Sequence, residues 1–351
     1  MSKKLLIINN GLSGGGIERA SSSMANAFDA KGYQVSVVAL YRREHFFTLN
    51  PDVEFIEPSF SSSNRYVYAL QMMCYLRRCV ARICPDVILA YGEWTNPYVI
   101  LATRFMRIPV FLSDRMSPAL RMGAVQRLMK RLLYRYAQGV IAQTSFARDV
   151  IRRETGNNRI EVIPNPVNVI ERIACEPRNQ IISIGRLTRE KGHRILVEAF
   201  SKLKNKEWQL MIVGDGGERP SLETLAQSLH VADRVIFAGH QKQLAPYLSA
   251  AQIFVLPSLL EGYPNALIEA MSLPMACVSS DCMAGPSDII SDGINGLLVE
   301  PGNSEAMAVA LDRLIENEEL RCRLATNASE VRQTLNFEKI TMRYLNFILQ
   351  E

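Results

Sequence analysis

Two glutamates, Glu261 and Glu269, lie eight positions apart in the segment SLLEGYPNALIEAMSLP. Glu261 follows the predicted strand IFVLP, and Glu269 lies about one turn inside a predicted helix, whose dipole stabilises a carboxylate near its start. The turn at Gly262 and Pro264 leaves the amides of Tyr263 to Leu267 free to donate hydrogen bonds. Two carboxylates separated by a row of amides suit a ligand with hydroxyl groups at both ends and an anionic middle. A nucleotide sugar has this form.

Arg186 and Lys191 lie in the segment SIGRLTREKG, between a predicted strand and a predicted helix. A diphosphate at that helix start would meet two cations and the unpaired amides of the first turn. The loop therefore predicts a diphosphate site.

A third loop, NNGLSGGGIER, follows the first predicted strand and contains Gly15 and Gly16. These glycines allow a substrate to approach the backbone closely at a helix start. The spacing is not G-x-G-x-x-G, and the second strand ends in VVALYRRE without an acid for a ribose. A cofactor-binding oxidoreductase is therefore disfavoured. The alternative for this loop is a tight strand-to-helix turn without a ligand.

Short β-branched runs alternate with amphipathic segments of helical length along the whole chain, as in parallel sheets covered on both faces. The predicted strands are residues 4–10, 34–40, 53–57, 86–91, 109–113, 139–143, 160–164, 179–185, 208–214, 234–239, 252–257, 275–280 and 296–300. The sequence thus predicts an α/β protein with two Rossmann-like, doubly wound parallel-sheet domains facing across a cleft. The expected divisions are an N-terminal domain of residues 1–164, a linker of 165–178, a C-terminal domain of 179–335, and a closing helix of 336–351.

The net charge is +5 but is unevenly distributed. Residues 1–170 hold 22 Lys and Arg against 12 Asp and Glu, whereas residues 171–351 hold 18 against 23. This asymmetry indicates that the first half meets something anionic. The seven cysteines form no C-x-x-C pair, which disfavours zinc, redox and disulfide roles. The apolar run near the N-terminus is too short for a signal peptide, so a cytoplasmic location is expected.

Four motifs in this order resemble a family of retaining glycosyltransferases, family GT4 with the GT-B fold, over nearly the whole chain. They are EGYPNALIEAM, GRLTREKG, SGGGIER and DGINGLLVEPGN. The resemblance implies that Glu261 contacts hydroxyl groups of the transferred sugar, and that Arg186 and Lys191 stabilise the leaving nucleoside diphosphate. It also implies that no metal or other cofactor is needed. The implied donor-binding residues are Glu269, Gly262, Tyr263, Pro264, Asn265, Ala266, Leu267, Gly15, Gly16 and Gly214.

The segment DCMAGPSDII resembles a subset of the family with a G-P-[SR]-[DE]-I loop. Such members are often enzymes of cell-surface polysaccharide and glycan assembly that use UDP-hexoses or UDP-N-acetylhexosamines. The resemblance therefore implies a UDP-sugar donor and a glycan or polyprenyl-linked acceptor.

The acceptor side departs from the family pattern. Many members carry a histidine in the loop after the fifth strand, whereas this loop reads FLSDRMSP, with Asp114 and Arg115 in its place. Either Arg115 substitutes for the histidine or its role is distributed. In the preceding loop, YGEWTNPY, Glu93 and Asn96 are expected on the acceptor side, where a carboxylate orients or deprotonates a hydroxyl group. The alternative is a helix-capping segment.

The segment RMGAVQRLMKRLLYRYAQG carries much of the basic surplus. Its apolar residues follow helical spacing, and Arg121, Arg127, Lys130, Arg131 and Arg135 lie mostly off that stripe. One hypothesis is peripheral contact with the anionic inner leaflet of a membrane. The alternative is a core helix with a solvated basic face.

Two competing functions are less favoured. A GT-B-like sugar-nucleotide epimerase needs acid and base groups beside the sugar, and suitable histidines are missing; only His193, just after the diphosphate loop, is a candidate. A non-catalytic nucleotide-sugar-binding subunit is disfavoured because the four charged residues of the motifs are all present: Glu261, Arg186, Lys191 and Glu269. Nucleic-acid binding is disfavoured because the basic residues lack interleaved aromatic side chains.

Overall fold

The computed structural model describes residues 2–115 and 122–350. The chain divides into two compact units: Met1–Pro164 with Glu338–Glu351, and Asn165–Phe337. Each unit contains one parallel sheet covered by helices, which confirms the predicted α/β fold class.

The sheet of the first unit has the strand order β3-β2-β1-β4-β5-β6-β7, and all its strands are parallel. The sheet of the second unit has the order β10-β9-β8-β11-β12-β13 and is also parallel. The strands are β1 (Lys4–Asn9), β2 (Gln34–Ala39), β3 (Glu54–Ile56), β4 (Val87–Tyr91), β5 (Val110–Asp114), β6 (Gly139–Ala142), β7 (Ile160–Val162), β8 (Gln180–Ile184), β9 (Gln209–Val213), β10 (Val235–Gly239), β11 (Ile253–Leu256), β12 (Ala276–Ser280) and β13 (Leu297–Val299). All the predicted strands are present, and β5 is displaced by one residue from its prediction.

Most of the helices connect one strand to the next, four helices follow the last strand, and together the helices cover the two faces of each sheet. They are α1 (Gly16–Ala30), α2 (Arg65–Ile83), α3 (Asn96–Thr103), α4 (Ala124–Leu133), α5 (Ser145–Thr155), α6 (His193–Ser201), α7 (Arg219–Ser228), α8 (Ala245–Ala250), α9 (Asn265–Ser272), α10 (Pro286–Ile289), α11 (Ser304–Glu316), α12 (Glu318–Ala328), α13 (Val331–Thr334) and α14 (Phe337–Leu349). One 3-10 turn, Tyr134–Tyr136, follows α4, and another, Arg189–Lys191, precedes α6.

The inner strands of both sheets are buried on two faces, as their nearly continuous apolar sequences predict, whereas the edge strands β3, β7 and β10 are partly exposed. In β1, Leu5 and Ile7 pack in the same cluster as residues of α1 and α14, while Leu6 and Ile8 pack in a cluster with α2 and α3. Because side chains alternate along a strand, this division fixes the register of the sheet.

The segment of residues 165–178, which is the predicted linker, packs against the second unit. Val167 and Ile170 are buried in a core cluster of that unit. The Val167 amide donates to the Leu335 carbonyl at 2.8 Å, and the Ile170 amide donates to Ser272 Oγ at 3.2 Å. The polar, charge-mixed sequence concealed these contacts, because they depend on a few apolar residues and on main-chain hydrogen bonds.

The closing helix α14 packs in the first unit. Ile340, Tyr344 and Ile348 are buried in the cluster that includes β1 and α1. Phe347 lies edge-on to Phe111 of β5, with ring centroids 5.3 Å apart. The first unit therefore includes residues from both ends of the chain.

Candidate active site

The carboxyl ends of the adjacent strands β8 and β11 bring Lys191 and Glu261 together in the second unit. Lys191 Nζ lies 2.7 Å from Glu261 Oε1 and 2.9 Å from Glu261 Oε2. Ser258 Oγ donates to Glu261 Oε1 at 2.6 Å. The Glu261 side chain is 5% exposed and that of Lys191 is 22% exposed, so the cation is the more accessible member of the pair. Two loops that are distant in sequence therefore build one charged cluster.

Main-chain contacts hold these two loops against each other. A Cβ atom on Gly192 would lie 2.0 Å from the Pro257 carbonyl oxygen, and Gly192 has a φ of +66°, so this position requires glycine. The Leu259 amide donates to the Glu190 carbonyl at 2.8 Å. This close approach places Lys191 beside Glu261 without relying on flexible side chains.

Arg186 lies in the same loop but is not part of the buried pair. Its side chain is 77% exposed, and its nearest acid is Glu190 at 4.0 Å. A pair this exposed contributes little to stability. The Arg186 guanidinium is therefore available to an anion at the edge of the sheet.

The turn before α9 differs in part from its prediction. The Asn265 amide donates to the Tyr263 carbonyl at 3.0 Å, and the Leu267 amide donates to the Pro264 carbonyl at 3.1 Å. These two amides are satisfied within the turn, so the expected row of free donors is shorter than predicted. Gly285 lies against Pro264: its φ is +127°, and a Cβ atom there would lie 2.6 Å from Pro264 Cδ.

Glu269 lies one turn into α9 and is half-buried as a residue. Asn168 Nδ2 donates to Glu269 Oε1 at 3.4 Å, so the segment that was expected to be a linker supports this residue. Gly214 follows β9 with a φ of +140°, and a Cβ atom there would lie 1.9 Å from the Gly185 carbonyl oxygen. Gly214 is thus required for the packing of the loop that precedes Arg186.

His193 opens α6 directly after the diphosphate loop and is 3% exposed. Within the described part of the chain, neither ring nitrogen has a hydrogen-bond partner. Burial, with a smaller contribution from Lys191, lowers the pKa of His193 to about 4. The imidazole is therefore neutral near pH 7 and is unsuited to act as a charged acid.

In the first unit, Gly15 caps α1 and Gly16 begins it. A Cβ atom on Gly15 would lie 2.1 Å from Glu18 Oε2, because the Glu18 side chain folds back over the first turn. Glu18 is 6% exposed, and its carboxylate lies at the positive end of the helix dipole. Around Gly16 the space is open to 4 Å.

The carboxyl ends of β4 and β5 bring Glu93 and Asp114 together with Lys130 of α4. Lys130 Nζ donates to Asp114 Oδ2 at 2.5 Å, and the Arg115 amide donates to Glu93 Oε1. All three charged side chains are buried. Gly92 allows the turn into this loop, since its φ is +126° and a Cβ atom there would lie 2.6 Å from Thr95 Oγ1.

The charged neighbours shift the pKa values of Glu93 and Lys130. Burial first, and the nearby Asp114 carboxylate second, raise the pKa of Glu93 to about 7. Burial alone would lower the pKa of Lys130, but Asp114 and Glu93 together raise it. The Glu93 carboxyl group is therefore only partly ionised near neutral pH.

Asn96 and Arg115 complete the predicted acceptor-side set. Asn96 Nδ2 donates to the Tyr134 hydroxyl at 3.2 Å, and Asn96 Oδ1 has no partner among residues 2–115 and 122–350. Arg115 Nη1 donates to the Tyr344 hydroxyl at 3.4 Å and lies over the Tyr91 ring. The four predicted residues therefore lie in one network, although the remainder of the FLSDRMSP loop lies outside the described residues.

Lys130 is the member of this cluster that the sequence interpretation missed, since it was assigned to the basic face of its helix. The fold reverses that assignment: Lys130 is buried, whereas Val125, Leu128 and Leu132 on the same helix are exposed. The available signal was the pair of acids at two neighbouring strand ends, because buried carboxylates require a cation. Arg121 lies outside the described residues.

No group of three or more His, Cys, Asp or Glu side chains in the described ranges is arranged to hold a metal ion. In the same ranges, no helix is both long and apolar enough to cross a membrane. All seven cysteines are free.

Family models match both units. One described as "Glycosyl transferases group 1" matches residues 171–331, and one described as "Glycosyltransferase Family 4" matches residues 14–171. Together the two matched ranges include the Lys191–Glu261 pair and the cluster of Glu93, Asp114 and Lys130.

Two bacterial relatives align along almost their full length. The chain is 25% identical to the amylovoran biosynthesis glycosyltransferase AmsD of Erwinia amylovora, covering 93% of each chain. It is 26% identical to a Campylobacter jejuni α-1,4-N-acetyl-D-galactosaminyltransferase named for a diphospho-undecaprenol-linked acceptor, covering 99% of this chain and 98% of the relative. Among solved structures, Anabaena Alr3699/HepE in complex with UDP superposes with a TM-score of 0.81 at 19% identity, covering 98% of each chain.

Proposed function

The chain belongs to glycosyltransferase family 4 and has the GT-B fold, and we propose that it transfers a hexose or N-acetylhexosamine from a UDP-sugar with retention of configuration. The acceptor is a hydroxyl group of a glycan or lipid-linked acceptor in the assembly of a cell-surface polysaccharide or glycan. The enzyme works in the cytoplasm, with peripheral contact to an anionic membrane face.

The observation that carries this proposal is the cluster of Lys191, Glu261 and Arg186 at the carboxyl edge of the second sheet. Ligands of open parallel sheets bind at this edge. The Lys191 ammonium is held by a carboxylate yet remains partly accessible, and the Arg186 guanidinium is exposed. A diphosphate would meet two cations there, one held by Glu261 and one exposed to solvent.

In the proposed reaction, the bond between the anomeric carbon and the diphosphate oxygen breaks. A bond from the same carbon to the acceptor oxygen forms on the same face of the sugar. The hydroxyl proton of the acceptor passes to the leaving diphosphate. Arg186 and Lys191 stabilise the negative charge that the diphosphate gains, which is how fixed charges accelerate such a step.

The remaining donor contacts follow from the positions of the two glutamates. Glu261 binds hydroxyl groups of the transferred sugar and also fixes Lys191. Glu269 binds the ribose hydroxyl groups. The two cations take the role that a metal has in other transferases, so turnover is expected to persist in the presence of EDTA.

The first unit takes the acceptor at the cluster of Glu93, Asn96, Asp114 and Arg115. Near neutral pH, the pKa of Glu93 leaves its carboxyl group divided between the two protonation states, so it can accept or donate a hydrogen bond to a hydroxyl group. The names of the two bacterial relatives support a glycan or undecaprenol-linked acceptor, and the Anabaena complex supports UDP as the nucleotide.

A panel of UDP-, GDP- and ADP-sugars in a thermal-shift assay tests the donor assignment. Specific binding raises the melting temperature by mass action, and we expect a rise with UDP-sugars. Incubation of the responding donor with lipid-linked acceptors, followed by NMR of the product's anomeric proton, tests the reaction. An inverted product would contradict retention. Epimerised nucleotide sugar without transfer would favour an epimerase, and donor binding without any turnover would favour a non-catalytic subunit.

A further inference from the structure

The outward face of α4 is apolar, although the only residue that the helix buries is a lysine. Val125 is 66% exposed, Leu128 is 56% exposed and Leu132 is 49% exposed. The Tyr136 ring, just beyond the helix, is 50% exposed. Their spacing of three to four residues places them on one stripe, which is about 17 Å long at the rise of an α-helix. Such a stripe is costly in water, and a face of this kind marks an interaction site.

The end of α3 extends the same apolar surface. Phe105 is 83% exposed and Leu101 is 41% exposed. Arg104 bridges the two helices, since its guanidinium lies 4.2 Å from the centre of the Tyr136 ring and 5.8 Å from that of Phe105. We call the surface of Leu101, Phe105, Val125, Leu128, Leu132 and Tyr136 the α3/α4 face.

Basic residues outnumber acids around this face. Between residues 96 and 154 the sequence contains eleven Lys and Arg against three acids, Asp114, Asp149 and Glu154. Asp114 is buried and paired with Lys130, so it does not offset the other charges. Arg127, Arg131 and Arg135 are exposed on the helix or next to it. The partner of this face is therefore anionic as well as apolar.

A cavity of about 380 Å³ opens beside the α3/α4 face at the amino edge of the sheet. Arg104, Arg107, Gln138 and Tyr136 line it. Within the described ranges, neither Arg104 nor Arg107 has an acidic partner. Two unpaired guanidinium groups with a side-chain amide suit a phosphate group. The first residue of β5 lines the same cavity, whereas Asp114 ends that strand, so this site is separate from the acceptor cluster.

We propose that the α3/α4 face docks on an anionic phospholipid bilayer, with a lipid phosphate in the Arg104–Arg107 cavity and the apolar stripe in the membrane interface. A second copy of the chain fits less well, because two such faces would bring many like charges together. A bilayer supplies both the phosphates and the apolar layer that the face requires, and Tyr136 has the side-chain type favoured at that boundary. The inference rests on the proposed function for its purpose: docking brings the acceptor cluster to a lipid-linked substrate.

Co-sedimentation of the full chain with phosphatidylcholine vesicles, with and without phosphatidylglycerol, tests the docking. We expect binding to the anionic vesicles that weakens with added salt. Arg104→Gln with Arg107→Gln lowers the partition coefficient roughly 25-fold, since each basic residue near a membrane surface contributes about fivefold. Leu128→Ser with Leu132→Ser lowers it by at least about tenfold, because both side chains leave the interface.

Matched control pairs come from exposed positions of the second unit. Ile294→Ser with Val309→Ser replaces two apolar residues that are 61% and 68% exposed. Arg313→Gln with Arg323→Gln removes two exposed cations from α11 and α12. Both control pairs are expected to bind vesicles like the wild type. The proposed docking surface would be overturned if the control pairs lost as much vesicle binding as the test pairs. It would also be overturned if both test pairs still bound anionic vesicles like the wild type.

Two parallel measurements separate the remaining outcomes. The first is the oligomeric state. If the wild type is a dimer, does not bind vesicles, and becomes a monomer with Leu128→Ser and Leu132→Ser, the face is an interface between two copies and the proposal is overturned. Calorimetric titration with a UDP-sugar should give the wild-type affinity in every variant. Failure of the wild type itself to bind any nucleotide sugar would contradict the proposed function, while vesicle binding would still report on the docking.

Discussion

Each unit pairs a lysine with a carboxylate at the carboxyl edge of a parallel sheet, but the two pairs are balanced differently. In the second unit, Lys191 Nζ contacts the carboxylate of Glu261, and the Lys191 side chain is 22% exposed. In the first unit, Lys130 Nζ contacts the carboxylate of Asp114, Glu93 is a second nearby carboxyl group, and the Lys130 side chain is 10% exposed. The lysine of the second cluster is the more accessible to an anionic ligand, whereas the first cluster is more deeply buried and its Glu93 carboxyl group is partly protonated near neutral pH.

We propose that this difference gives the two units complementary chemistry. A partly exposed cation beside the exposed Arg186 guanidinium suits an anion whose charge grows during a reaction. A buried acid whose pKa is raised to about 7 suits a neutral hydroxyl group, because it can donate or accept a hydrogen bond near neutral pH. In this proposal, similar residue types at equivalent sheet edges serve different functions because they differ in burial and in protonation.

Replacement of Lys191 should have the largest effect. Lys191→Ala is expected to lower turnover about 10³-fold, because it removes a preorganised charge from the leaving group. The measurement is release of nucleoside diphosphate from the donor, with circular dichroism to confirm folding. Lys202→Met is the matched control: this lysine of the same unit pairs with Glu305 at the surface, and its loss should leave turnover near normal. Near-normal turnover in folded Lys191→Ala would refute the assignment.

Replacement of Lys130 should act on stability. Lys130→Met leaves a buried carboxylate without its cation, and breaking a buried pair in this way costs about 3–5 kcal/mol of unfolding free energy. Urea unfolding measures the loss, with Arg131→Met, an exposed neighbour on α4, as the control. Adding Asp114→Asn to Lys130→Met should restore part of the lost stability. An unchanged unfolding midpoint in Lys130→Met would mean that Lys130 does not stabilise the buried carboxyl groups of Asp114 and Glu93.

Glu93 should make the stability of the protein depend on pH. Its folded pKa of about 7 lies above the ordinary value of 4.5, so the native state binds this proton more tightly than the unfolded state does. The stabilisation is present below pH 4.5 and is lost as the pH rises towards 7, by about 3 kcal/mol in total. Glu93→Gln should flatten that slope in urea unfolding measured across this range. Parallel slopes for the variant and the wild type would be inconsistent with a raised pKa.

The sequence predicted most of the fold because the apolar runs are long and the turn residues between them are clear. Every strand from β1 to β13 lies within about one residue of its predicted range. The anchoring of residues 165–178 could not be predicted, because it depends on hydrogen bonds with Leu335 and Ser272, which are distant in the sequence. Such pairings leave no local periodicity to detect.

The candidate site was predicted by residue type but not by pairing. Strand-end positions identified Glu261, Lys191, Glu93 and Asp114, because the topology collects these loops at one edge of each sheet. The direct contact between Lys191 and Glu261 was not foreseen, since it depends on the close approach at Gly192. Lys130 was missed because helical periodicity predicts that charged residues of a surface helix lie in solvent. Here Lys130 is buried because it neutralises buried carboxyl groups.

The central claim is that the second unit, and not the first, binds the diphosphate of the donor. Calorimetric titration of a UDP-sugar into wild type, Lys191→Met and Glu93→Gln tests it most directly. We expect Lys191→Met to weaken binding at least about tenfold, since a charge-assisted hydrogen bond contributes about 1.5–3 kcal/mol. Glu93→Gln should bind the donor like the wild type. Wild-type affinity in Lys191→Met, or an equal loss in Glu93→Gln, would contradict this division.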